Sequence, residues 1–279
     1  MSLEGRRIVV KVGTSTLTHE NGAMNLRSFE KLARVLSDAQ NLGHEIILVS
    51  SGAIAVGASR LRMAERPQEL RLKQAAAAVG QCELMHLYDK FFSEYGKIVA
   101  QILLTGDDVH DPDIKQNLIN TFDALLELNI IPIVNENDSV SYAEIEAPVP
   151  GMETAETQAK TEHKVFGDND TLSAVVAVLC RADLLVLLSD IDGLYDDDPR
   201  ENPDAQLIRR VDALDESVFA LAGGAGSNRG TGGMITKLKA AEIATAEGID
   251  MIITNGSEPQ NLYEILEGKE VGTFFVGQK

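Results

Sequence analysis

The sequence is poor in several things at once, and each shortage excludes a class of protein. Only two of its 279 residues are cysteine, Cys82 and Cys180. Both fall in apolar, helix-like stretches and no CxxC occurs. A disulfide scaffold is therefore excluded, and buried thiols in a reduced, cytoplasmic compartment are expected. The five histidines (His19, His44, His86, His110 and His163) have no zinc-ligand spacing. No run of about 20 apolar residues is present, so no membrane span is expected. Met1 to Val12 carries Arg6 and Arg7 but no apolar run suited to a signal peptide. Positive charge is also scarce. Lys and Arg number 25 against 43 Asp and Glu, a net charge of −18. That argues against unaided binding to a nucleic-acid backbone or an anionic membrane. An anionic ligand would need local cations or a metal ion to offset the overall field.

What is present is a globular α/β pattern. Hydrophobic residues make up 44% and charged residues 24%, enough to bury a large core in one unit, 1–279. Apolar runs at Ile8 to Val10, Ile46 to Val49, Ile98 to Leu104, Ile130 to Val134, Leu184 to Leu188, Met251 to Ile253 and Thr273 to Val276 read as strands. Helical spacing marks Leu26 to Leu36, with Asn25 as N-cap and Gly43 past its end. Further helices are expected at Pro67 to Tyr95 (with a break near Gly80), Ile114 to Leu128, Leu172 to Leu179, Met234 to Ala246 and Asn261 to Leu266. Continuous rather than alternating apolar strands imply a mostly parallel central sheet sandwiched by helices. Glu144 to Val165 has no apolar period and reads as an exposed, mobile insertion.

In such sheets ligands bind beyond the carboxyl ends of the strands. Lys11-Val12-Gly13-Thr14-Ser15 and Ser50-Ser51-Gly52-Ala53 put small residues at strand-to-helix turns, where free backbone N–H groups can cradle an anion. Each could equally be a plain tight turn. Lys11 shifts the balance, because a lysine inside an apolar strand is costly unless it is paired or faces a ligand. Asn135 to Ser139 follows another strand and reads as a loop, either solvated or able to bind an ammonium group. Gly167-Asp168-Asn169-Asp170-Thr171 precedes an apolar helix that Asn169 or Asp170 would cap. Ser189 to Asp198 is acidic, but the glycine and the terminal glutamate that a calcium loop needs are misplaced, and no protein metal ligand is assigned. Six glycines crowd Gly223 to Gly233 ahead of a helix bearing Thr236 and Lys237, a phosphate-loop composition. Neither GxxxxGK[ST] nor GxGxxG occurs, so a mononucleotide site of another kind is required.

Lys11 and Lys237 should converge at one sheet edge, and Asp170 could hold both. No Ser–His–Asp or Cys–His set is visible. This suits phosphoryl transfer, which needs positioning and cations more than acid–base groups. A carboxylate acceptor, already ionised, would need no general base.

From Ile8 to Val276 the chain resembles the amino-acid kinase family, and within it the glutamate 5-kinases. The most specific stretch is Ser227 to Gly248, with Gly230-Thr231-Gly232-Gly233-Met234-Ile235-Thr236-Lys237 leading into Ala240-Ala241. Asn135 to Asp138 and Gly167 to Asp170 also resemble that branch. Ser189-Asp190 through Tyr195 and Asp198-Pro199 are shared more widely, including with uridylate kinases. The resemblance implies ATP-dependent phosphorylation of the γ-carboxylate of L-glutamate, the first step of proline synthesis, with Mg²⁺ as the partner of ATP. It implies that Lys11 and Lys237 stabilise the transferring group and that Asp170 orients them. Ser51, Gly52, Ala53, Asp138 and Asn169 would hold glutamate. Lys11, Gly13, Ser189, Asp190 and Thr231 to Lys237 would form the nucleotide site. Residues 1–170 would be mainly substrate-binding and 171–279 mainly ATP-binding. It further implies a homo-oligomer, a dimer or tetramer, with proline a candidate feedback inhibitor. Two departures are expected. Residues 146–166 intervene where family members have a few residues, and the chain stops at Lys279 without the PUA domain carried by many bacterial relatives. Two alternatives stay open: a family kinase acting on N-acetylglutamate, a nucleotide or a phosphate ester, and a non-catalytic sensor. Retention of Lys11, Asp170 and Lys237 together argues against the sensor.

Overall fold

The computed structural model describes residues 5–19, 22–140, 168–222 and 233–278. One eight-stranded sheet runs through it in the order β3-β4-β2-β1-β5-β7-β8-β6. The strands are β1 (Arg7–Val12), β2 (Glu45–Val49), β3 (Val99–Leu104), β4 (Ile131–Glu136), β5 (Leu184–Ser189), β6 (Arg210–Val211), β7 (Asp250–Asn255) and β8 (Thr273–Phe275). The first six in spatial order, from β3 to β7, are parallel throughout. Only β8 runs antiparallel to β7, with β6 parallel to β8. The sheet is thus mostly parallel, as its continuous apolar strands require.

Helices cover both faces. They are α1 (Thr14–Leu17), α2 (Leu26–Asn41), α3 (Ala53–Arg60), α4 (Leu70–Ser93), α5 (Gly106–His110), α6 (Pro112–Glu127), α7 (Asn169–Leu179), α8 (Glu216–Ala222), α9 (Met234–Ala246) and α10 (Asn261–Leu266). Alternate residues of each central strand feed two separate cores. Val9, Ile47, Val134, Leu185 and Ile253 pack with α6, α7 and α9. Ile8, Val10, Ile46, Leu48 and Val186 pack with α2, α4 and α10. Period-two side chains buried on both faces explain why these strands read as unbroken apolar runs.

Three sequence expectations need correction. Helix α4 is not broken at Gly80; it runs unbroken for 24 residues. Its glycine serves a helix crossing instead. A methyl at Gly80 would lie 1.8 Å from the Ala53 carbonyl oxygen, and one at Gly57 would lie 1.7 Å from that of Ala76. The backbones of α3 and α4 touch there, and only glycine permits it. Asn135 and Glu136, expected in a loop, complete β4 and are buried. Cys180 is buried, but Cys82 is exposed on α4. Burial pushes the Cys180 thiol up to about 12. The segment 146–166 lies outside the described residues.

Candidate active site

Strand β1 sits where the connections change direction. On one side of it lie β2, β4 and the edge strand β3, and on the other β5 and β7. A crevice opens at such a reversal, beyond the carboxyl ends of the strands. Every strand end singled out above converges there. Lys11, Gly13, Ser51, Gly52, Ala53, Asp138, Asn169, Asp170, Ser189, Asp190 and Lys237 all line one cavity of about 300 Å³.

Lys11 shares the Val9 side of β1, so its side chain projects toward α7 and α9. It meets Asp170 in the first turn of α7. Lys11 Nζ lies 2.6 Å from Asp170 Oδ1, and Lys237 Nζ, from the first turns of α9, lies 3.1 Å from Oδ2. Thr236 Oγ1 donates a third bond to Oδ2 at 3.0 Å. Asp170 is 1% exposed and both lysines are buried. Burial alone would raise the Asp170 carboxyl. The two ammonium groups outweigh it and hold that carboxyl below its ordinary value. The helix is capped by Asp168, not by Asn169 or Asp170, its side chain accepting from the Thr171 N–H at 2.8 Å. Burial raises the Asp168 carboxyl, and nearby Asp170 adds to the shift.

The opposite wall carries a network of neutral amides beside the charged Arg66, Glu136 and Asp138. Asn169 Nδ2 donates to the Ser50 carbonyl at 2.7 Å, to Ser51 Oγ at 2.8 Å and to Asn135 Oδ1 at 3.0 Å. Asn135 Nδ2 in turn donates to Gln81 Oε1 at 2.9 Å. Gly52 caps α3 in the left-handed region, φ +94°, with no side chain between the helix start and the cavity. Arg66, from the segment joining α3 to α4, also lines the cavity, and forms no ion pair with any described residue.

A second cavity of about 270 Å³ adjoins the first. It is lined by Asp190, Leu194, Tyr195, Asp196 to Arg200, the end of α8, Gly233, Met234 and Lys237. Asp190 and Lys237 belong to both walls. The aspartates here organise their own loop: Asp196 accepts from the Gln206 N–H, Asp197 from Asn202, and Asp198 from the Arg200 N–H. Of the sequence candidates, Ile235 is exposed and lines neither cavity, and Thr236 reaches Asp170 instead. Thr231 and Gly232 lie outside the described residues. The sequence reading passed over Gln81 and Arg66. The cost of burying an amide halfway along an apolar helix was the available signal for the first.

A model of the amino acid kinase family matches residues 6–255. Glutamate 5-kinase of Clostridium perfringens is 54% identical over 276 residues, covering 99% of this chain and 97% of that one. Glutamate 5-kinase of Listeria innocua is 49% identical over 274 residues, covering 98% of this chain and 94% of that one. Among solved structures, carbamate kinase from Giardia lamblia bound to AMP-PNP superposes with a TM-score of 0.65 at 14% identity, covering 98% of this chain and 99% of that one. An isopentenyl phosphate kinase gives 0.63 at 18% identity, covering 97% and 100%. At these identities the likeness is one of fold. The chain belongs to the amino acid kinase family, in its glutamate 5-kinase branch.

Proposed function

We propose that the chain transfers the γ-phosphoryl group of ATP to the γ-carboxylate of L-glutamate, giving L-glutamyl 5-phosphate and ADP, the first step of proline biosynthesis. The observation that carries this reading is the placement of one charge clamp in the wall between two cavities. Lys237 borders both, and Lys11 and Asp170 complete the clamp from the first.

The cavity lined by Ser51, Gly52, Ala53, Asp138 and Asn169 takes glutamate; the one lined by Tyr195, Gly233 and Met234 takes the nucleotide. This supports a division into a mainly substrate-binding part, 1–170, and a mainly ATP-binding part, 171–279. Asp138 receives the glutamate ammonium. Arg66 is the guanidinium offered to the α-carboxylate. An oxygen of the γ-carboxylate attacks the γ-phosphorus in line. The bond to the β,γ-bridging oxygen breaks, and ADP leaves with its electron pair. No proton moves, so no general base is needed.

Lys11 and Lys237 stabilise negative charge spreading over the transferring group, and both are already in place before reaction. Asp170 holds them, and with both oxygens engaged by ammonium groups that keep its carboxyl below the ordinary value, it is a poor proton acceptor. Mg²⁺ would arrive on the phosphates of ATP. The described residues contain no group of three metal ligands, and the Asp170 carboxylate is occupied by the lysines. An ion borne by ATP would neutralise phosphate charge. Among the described residues no helix is long and apolar enough to cross a membrane, in keeping with a cytoplasmic enzyme.

The test is incubation with MgATP, L-glutamate and hydroxylamine. The reading expects γ-glutamyl hydroxamate, and none from aspartate or N-acetylglutamate. ATP binding without hydroxamate would move the assignment to another acceptor, and absence of ATP binding would favour a sensor.

A further inference from the structure

The amino-acid cavity has a hydrogen-bonding polarity that is fixed from outside it. Gln81 does not line the cavity. It sits on α4, one residue past the glycine crossing with α3, and is 8% exposed. Its Oε1 accepts from Asn135 Nδ2 at 2.9 Å. The other end of the Asn135 amide meets two donors: Oδ1 accepts from the Glu136 backbone N–H at 2.9 Å and from Asn169 Nδ2 at 3.0 Å. A flipped Asn135 would set its NH₂ group against a backbone N–H that cannot turn. Gln81 supplies the acceptor that lets the correct orientation keep all its bonds.

The consequence reaches the cavity through Asn169. Its Nδ2 carries two hydrogens and faces three acceptors, the Ser50 carbonyl, Ser51 Oγ and Asn135 Oδ1. The atom left for a ligand is therefore Asn169 Oδ1, an acceptor. Ser51 Oγ is used as an acceptor by Asn169, so its own hydrogen is left to donate. An α-amino acid presents the complement, an ammonium for Asn169 and a carboxylate for Ser51. We propose that Gln81 is a positioning residue that sets this donor–acceptor polarity through Asn135. The proposal rests on the glutamate-kinase reading above.

Gln81 also bears a cost that a purely structural residue need not. Its Nε2 is buried and has no hydrogen-bond partner among the described residues. An unsatisfied buried donor destabilises; Gln81→Met removes this one but leaves Asn135 Nδ2 without its acceptor, so one orphaned donor replaces another and stability should change little. A structural role and a positioning role therefore predict different behaviour for Gln81→Met, which keeps the volume and removes the acceptor.

Hydroxamate formation by the wild-type enzyme comes first, and its failure would sink the glutamate reading before any variant is made. With that in hand, Gln81→Met should raise KM for glutamate about tenfold, as loss of one buried acceptor implies. KM for ATP should stay within about twofold, with the melting temperature unchanged. In an Asn135→Ala background the same substitution should add nothing. The proposal is overturned by a glutamate KM within about twofold of wild type, by equal rises in both KM values, or by additive effects with Asn135→Ala. Loss of cooperative unfolding in Gln81→Met would reveal a structural role and overturn it as well.

Discussion

Asn169 and Asp170 are adjacent in sequence yet belong to two regions built on opposite principles. Asp170 is the centre of a charged clamp, with two ammonium groups and a hydroxyl on one buried carboxylate. Asn169 is the hub of a neutral amide chain that runs from the Ser50–Ser51 turn to Gln81. Charges in a dry site act strongly but cannot tell one carboxylate from another. Neutral amides act weakly, and their fixed direction distinguishes a donor from an acceptor. The chemistry is thus given to the clamp and the choice of acceptor to the amides and Asp138.

The clamp should be the more fragile region. Asp170→Asn leaves two buried ammonium groups without a counter-ion, and should destabilise the fold by about 3–5 kcal/mol. Denaturant titrations at several pH values test this and its sign. The Asp170 carboxyl is held below the ordinary aspartate value of about 3.9. Its contribution is therefore complete above that pH and is lost as the pH falls through the lower, folded value. Wild type and variant should differ by a constant amount from neutrality to about pH 5, and converge only below about pH 4. A difference already shrinking between pH 7 and pH 5 would contradict the clamp.

Lys237→Ala removes one of the two cations aimed at developing charge, while Lys11 still pairs Asp170. Turnover should fall by about 10²–10³ with the fold intact. A loss smaller than about tenfold would remove Lys237 from the transition state. On the acceptor side, Asp138→Ala should act on binding. Losing a charge-assisted bond to the ammonium should raise KM for glutamate by about tenfold or more, with KM for ATP little changed. Equal effects on both constants would erase the contrast between the regions.

The two regions were also unequally legible in the sequence. Lys11 stands out because a charge inside an apolar strand demands a partner, Asp170 through the polar turn ahead of an apolar helix, and Lys237 through the glycine-rich run ahead of its helix. The central strands were readable for a related reason: both faces are buried, so each is a continuous apolar run. The amide chain was not. Asn135 and Asn169 were visible as polar residues at loops near the strand ends, but a neutral amide does not announce its partners, and Gln81 signals only through the cost of burying an amide within a helix. Helix α3 was missed because its sequence, AIAVGASR, is mostly small residues with little amphipathic contrast. Strand β6 has two residues, too few for any period. Gly80 was misread as a break because glycine is a poor helix former. Its purpose is a contact with a second helix that the local sequence does not name.

That contact gives a smaller prediction on the neutral side. Gly80→Ala would force the α3 and α4 backbones apart, since the new methyl would overlap the Ala53 carbonyl. Overpacking of this kind costs about 1–3 kcal/mol. Because Ala53 opens α3 beside the Gly52 turn, the glutamate KM should rise along with the loss of stability. A variant that melts earlier yet binds glutamate normally would show that the crossing holds the fold but not the site.

The smallest expected effect sits on the next residues of the same helix. Gln81 faces inward to Asn135, while Cys82 beside it is exposed. Successive residues on a helix point about 100° apart, so a group on Cys82 need not disturb Gln81. In the native enzyme a thiol reagent should label one cysteine, since Cys180 is buried with its thiol pushed up to about 12. After unfolding it should label two. The labelled native enzyme should keep both KM values within about twofold, because nothing attached to the solvent side of α4 touches the amide chain. A selective rise in the glutamate KM on labelling would show that α4 transmits strain across its width, and the separation between its outer surface and the site's polarity would have to be given up.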